Sequence, residues 1–113
     1  MKELEVQTYN FAVEGIGLIK SLEKEYPDMV PDEMKQCMGK VSLKYIDALG
    51  AKENEDFANN IRDCLANAKK SAELLNALNR ITDTALFRQK EKMMTDSRII
   101  IERLEGVVSK LIY

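Results

Sequence analysis

The side chains able to do chemistry in this chain are carboxylates, amines and two thiols; there is no histidine. Glu14, Asp47, Asp63 and Glu102 fall beside apolar stripes of helical spacing, the placement a carboxylate-bridged di-iron centre in a helical bundle requires. Such centres also draw on His ligands, so the donor set here is incomplete. The acids read instead as inter-helix ion-pair partners for residues such as Lys40, Lys44, Arg62 and Arg98. Cys37 and Cys64 sit inside apolar helical patterns rather than in a paired motif, which makes them free thiols acting as small hydrophobes. The five glycines form no phosphate-cradling loop, and neither a nucleophile elbow nor a His-containing triad can be assembled. The expectation is a protein that is not an enzyme, with no cofactor, no metal site and no small-molecule substrate.

Positive charge is the remaining signal. Lys69 and Lys70 adjoin one another, and Arg80, Arg88, Lys90 and Lys92 cluster around the approach to the last apolar segment. These six residues are the candidate surface for RNA or an acidic protein partner, and in an oligomer such a patch would repeat, so that weak contacts add up. Against that, 17 Lys and Arg stand beside 19 Asp and Glu, a net charge of -2 with pI near 5.3. Phosphate affinity is driven by local positive charge, and this balance does not advertise it. The same residues also read as an ordinary solvated face.

The elements that must position these groups are helices. From Leu86, counting by threes and fours gives Leu86, Lys90, Met93, Ser97, Ile100, Leu104, Val107 and Leu111, a seam apolar in six of eight places. Phe87, Met94, Ile101 and Val108 form a second line beside it, making the stripe wider than one neighbouring helix covers. That second line is the expected oligomer interface. An earlier segment carries Leu4, Thr8, Phe11, Gly15, Leu18 and Leu22, flanked by Tyr9, Ala12, Ile16 and Ile19, with both lines expected to face a core. Gly15 and Gly17 each cost roughly 1 kcal/mol relative to Ala inside a helix, so they mark either close helix contact or local flexibility, with close packing the preferred reading.

Pro27 ends that first segment, and Pro31, Asp32 and Glu33 open the next, with proline in the first turn and acids at the positive end of the macrodipole. Met34, Cys37, Met38, Val41, Tyr45, Ala48 and Leu49 then recur at helical spacing, and Gly50 is placed for a left-handed C-terminal cap. Asn54 is placed to cap a third helix bearing Phe57, Ile61, Cys64, Leu65, Ala68, Ala72, Leu75 and Leu78. Asp83 or Thr84 would cap the fourth. The pattern predicts one all-α domain over residues 1–113, an up-down antiparallel four-helix bundle with helices near 4–25, 32–49, 54–79 and 84–112, assembled into a ring-shaped homo-oligomer. The longest apolar run, Ile99 to Ile101, is far short of the roughly 20 residues of a membrane span. The opening MKELEVQTYN puts acids where an export signal would be apolar, so the expected location is cytoplasmic, away from membranes.

The stretch from Met34 to Leu78 resembles the core of the small four-helix-bundle family that includes the ribosomal-RNA intervening-sequence proteins. It is similar too to the accessory variability proteins of diversity-generating retroelements. The residues carrying the likeness are Ala48 and Gly50 at a helix end, a short polar turn, and Phe57 opening an alanine-rich helix that contains Glu73. The resemblance implies a barrel-shaped homo-oligomer, commonly a pentamer, acting as a non-enzymatic partner of a reverse transcriptase and structured RNA. The rival reading is a structural oligomer or protein-binding adaptor without nucleic acid, which the acidic net charge favours.

Overall fold

The computed structural model describes residues 2–112, and they form four helices: α1 (Lys2–Glu25), α2 (Glu33–Leu49), α3 (Asn54–Ala77) and α4 (Thr84–Val108). Each packs against its neighbours in the cycle α1, α2, α3, α4 and back to α1, with no packing across either diagonal. The result is a square up-down bundle 45 × 21 × 20 Å.

The core follows from helical spacing. Met34, Met38, Val41, Tyr45 and Ala48 on α2 are all buried, as are Ile61, Cys64, Ala68 and Leu75 on α3. On α4 the seam is buried from Leu86 through Lys90, Met93, Ser97 and Ile100 to Leu104. Each large aliphatic side chain removed from water in this way contributes about 2 kcal/mol. The two buried hydroxyls of α1 and α4 are satisfied locally, because that of Thr8 donates to the Leu4 carbonyl (2.8 Å) and that of Ser97 to the Met94 carbonyl (2.7 Å).

The two loops at one end of the bundle are tied together by a single phenol. Tyr26, just past α1, accepts hydrogen bonds from the backbone N–H groups of Thr82 and Asp83, both at 3.1 Å. Asp83 in turn caps α4, its carboxylate accepting from the Leu86 N–H at 2.9 Å.

Several boundaries differ from the pattern in the sequence. Pro31 precedes α2 rather than lying in its first turn, and its carbonyl accepts the Met34 N–H. Gly50 is right-handed, φ -88 and ψ -1, and not the left-handed cap. The chain leaves α2 through a tight turn in which Ala51 N–H reaches the Ala48 carbonyl, so a left-handed residue is not needed. Asn54 is the first residue of α3, while Glu53 holds the cap position in extended conformation. The fourth helix stops at Val108, short of residue 112, with Ser109 as its C-cap and the Ser109 hydroxyl on the Gly106 carbonyl.

The two glycines of α1 differ in kind. A Cβ at Gly15 would lie 2.6 Å from Met38 Sδ, so α2 approaches too closely for a larger residue without that side chain moving. At Gly17 a Cβ would meet nothing within 4 Å. Close packing inside the bundle explains the first glycine and not the second.

Candidate interaction surfaces

The six basic residues do not converge. Lys90 is a correction: it is buried, 7% exposed, and its ammonium donates to the Leu78 carbonyl at the end of α3. Buried charge must find a partner, and an orphan carbonyl at a helix C-terminus is the partner available. The sequence signal was present, since Lys90 is a member of the α4 core seam. The ammonium also lies 6.0 Å from the Phe87 ring centroid.

The other five are exposed and spread over different faces. Lys69 pairs with Glu105 of α4 at 3.4 Å. Lys92 turns toward α1, pairing with Glu14 at 3.0 Å and with Asp96 at 2.8 Å. The hydrogen bond to Asp96, and then that to Glu14, hold its ammonium above the usual lysine range. Lys70, on the side of α3 toward α2, is near enough to Cys37 to favour its thiolate, although burial and then Glu33 push that thiol up overall. Arg80 stands in the loop between α3 and α4, and Arg88 on the second turn of α4. Neither arginine makes an ion pair among the described residues.

The second apolar line of α4 is largely used within the chain. Met94, Ile101 and Val108 are half-buried against the core, while Phe87 is 44% exposed. The stripe is wide because α4 packs on both α1 and α3, and in an antiparallel square bundle that consumes both lines.

A different face carries the exposed apolar surface. Val6, Tyr9 and Val13 on α1 are 54%, 58% and 53% exposed, and Leu43, Ile46 and Leu49 on α2 are 56%, 51% and 43% exposed. These two helices run antiparallel, with a Cβ at Gly39 placed 3.8 Å from Ile16 Cδ1 and Lys35 paired to Glu23 at 3.0 Å. Continuing that register by turns sets Val13 beside Leu43, Tyr9 beside Ile46 and Val6 beside Leu49. Six large side chains thus form a two-by-three array. Tyr9 and Leu49 are corrections to the expected core lines, and Val6, Val13, Leu43 and Ile46 lay outside every line. Their signal was a surplus: apolar residues on the polar arc of a helix whose core face was already complete.

The α1–α4 seam holds a shallow groove of about 200 Å³ that includes Gln7, Asn10 and Phe11, and the Glu14–Lys92 pair crosses it. Cys64 is buried, its thiol donating to the Val41 carbonyl at 3.1 Å, and burial pushes it up to about 12. Among the described residues, no three Cys, Asp or Glu side chains gather closely enough to hold a metal ion. No helix of the described residues is long and apolar enough to cross a membrane.

An antiparallel four-helix bundle with one apolar outer face and dispersed charge is the class these features define. The same fold occurs in a crystal structure of a protein of unknown function from the S23 ribosomal protein family of Bacteroides thetaiotaomicron. The two superpose with a TM-score of 0.83 at 22% identity, over 96% of this chain and 97% of that one. At that identity the likeness establishes the fold. No family model matches the chain, and no curated protein matches it.

Proposed function

We propose that this chain is a non-enzymatic, self-associating helical accessory protein that presents helix faces to other macromolecules. The observation that carries this reading is the two-by-three array on α1 and α2, where six large apolar side chains stand about half exposed. Exposed patches of that extent on soluble proteins mark association surfaces. Sedimentation equilibrium over a wide concentration range tests it: a mass above that of the 12.9 kDa chain is expected, and a monomer at every concentration overturns it. The same measurement counts subunits and so tests the pentameric ring that the family resemblance implies.

A second reading adds RNA, or a reverse transcriptase that works with RNA, as the partner, within the cytoplasm. What favours it is the exposed pair Arg80 and Arg88 with no ion-pair partner among the described residues, the resemblance to retroelement accessory proteins, and a fold shared with a member of the S23 ribosomal protein family. The adaptor reading without nucleic acid rests on the net charge of -2, the burial of Lys90 and the pairing of Lys69 and Lys92 to carboxylates. Purification at low salt separates the two. Nuclease-sensitive material that stays with the protein and leaves at high salt supports the RNA role, because phosphate contacts weaken steeply with salt. Binding of a partner protein that is indifferent to salt supports the adaptor.

A further inference from the structure

We propose that the apolar face of α1 and α2 is covered by the α1–α4 face of a second copy of this chain, a contact repeated around a ring whose axis runs along the bundles. This rests on the self-association proposed above and deepens it by naming both surfaces. Each copy then offers two different faces, so the contact is heterologous.

The first support is the shape of the bundle. In a square section of 21 × 20 Å the α1–α2 and α1–α4 faces are adjacent and share α1. Joining adjacent faces turns each copy by about 90°, which closes with four copies, and a turn of about 72° closes with five. Joining opposite faces gives an open row instead, and joining the array to itself gives a closed pair. In the ring α1 lines the centre beside the next copy's α1, and α2 lies on the next copy's α4.

The second is that the α1–α4 face has room in it. Glu3–Arg103 (2.6 Å) and Glu14–Lys92 (3.0 Å) fix its register. On one side of the Glu14–Lys92 pair is the groove of about 200 Å³, floored by Phe11 and Ile100. On the other is a hollow of about 430 Å³ at Gly17, with Leu18 and Met93 in its lining. A Cβ at Gly17 would meet no atom within 4 Å, so packing inside its own bundle does not account for a glycine that weakens α1. A neighbour seated on this face does.

The third is a donor and an acceptor that each lack a partner. Gln7 lines the smaller groove, and no donor among the described residues reaches its Oε1 atom. Its amide turns about a soft last torsion and so presents that oxygen to the groove. Tyr9 is 58% exposed, and its hydroxyl makes no hydrogen bond among the described residues. Gln7 and Tyr9 lie within one turn of each other on α1, and rotation about an axis along the helices preserves their height. Tyr9 of one copy therefore comes level with the next copy's groove, where its O–H donates to Gln7 Oε1. At that level Ile46 meets Ile99, which is 39% exposed. Val13 and Ile16 come level with Glu14 and Gly17, where the missing Cβ leaves them space.

The test is sedimentation of the full chain and of variants confirmed as helical by circular dichroism. Val13→Lys with Leu43→Lys charges the array, and Asn10→Lys with Gly17→Gln fills the α1–α4 face. Each double variant is expected to raise the dissociation constant about 100-fold or more. Each also keeps one face intact, so an equimolar mixture of the two at high concentration should give a 1:1 pair and nothing larger. Only a heterologous contact allows that result. Tyr9→Phe should weaken assembly about fivefold, and no change there overturns the bond to Gln7. A wild-type chain that is monomeric throughout overturns both this proposal and the self-association beneath it. An assembly untouched by either double variant overturns this proposal alone and assigns the contact to other faces. Two monomeric variants that fail to pair when mixed overturn the heterologous arrangement.

Discussion

The α1–α2 and α3–α4 pairs are both antiparallel helix hairpins, and they treat their apolar surface in opposite ways. On α4 two apolar lines are present and both turn inward, leaving only Phe87 well exposed among the second four. On α1 and α2 the core lines are complete and a further six apolar residues remain outside. Stripe width therefore reports how many neighbours a helix has, not whether they belong to the same chain. Charge shows the same contrast: on the α3–α4 side an ammonium is drawn into the interior to close a helix end, while between α1 and α2 the Lys35–Glu23 pair stays partly exposed.

Perturbing the two sides differently sharpens that contrast. The largest effect is expected in the shared interior. Leu104→Ala, at a fully buried site, should lower unfolding free energy by about 3 kcal/mol in urea denaturation, whichever face then associates. Lys90→Met keeps the stem but strands the Leu78 carbonyl, and a loss of about 1–2 kcal/mol is expected. A neutral result there would mean that Lys90 reaches water in solution and belongs to the exposed basic set after all.

The thiol of Cys64 gives a pH signature of the α2–α3 packing. Its folded value, about 12, lies above the ordinary 9.0, so the protonated form is the one that folding favours. Its contribution is fully present below pH 9 and is lost progressively as pH rises toward 12. Denaturation curves of wild type and Cys64→Ala should thus converge across that interval, and parallel curves would show the thiol to be solvated.

Smaller effects come from the loop end. Tyr26→Phe removes an acceptor from the Thr82 and Asp83 N–H groups and should cost about 1 kcal/mol, read as a fall in melting temperature. Smallest and opposite in sign, Gly17→Ala should stabilise the monomer by about 0.5–1 kcal/mol, because nothing in the bundle occupies the space. Gly15→Ala, which meets Met38 Sδ at 2.6 Å, should show less gain or a loss.

The four helices were legible because their signals are local and periodic. The α4 seam from Leu86 to Leu104, the proline break after α1 and the Asp83 cap all appear where spacing and side-chain chemistry put them. Helix ends were legible only to within a few residues, since Gly50 and Asn54 each had a plausible role that the neighbouring turn did not need. The arrangement of the basic residues in space was not legible. Residues adjacent in sequence on a helix lie 100° apart around its axis, so Lys69 and Lys70 were separated by geometry alone.

What the amino-acid sequence determined by itself, then, is the number of helices, their order and the residues that line the core, because each follows from a 3.6-residue period and short connections. What only the tertiary structure decided is where each surplus goes: that Lys90 is spent inside on Leu78, that most of the second line of α4 packs against the core, and that Val6, Tyr9, Val13, Leu43, Ile46 and Leu49 come together outside. The physical reason is that a single helix fixes the direction of every side chain about its own axis, while burial depends on which of those directions another helix occupies.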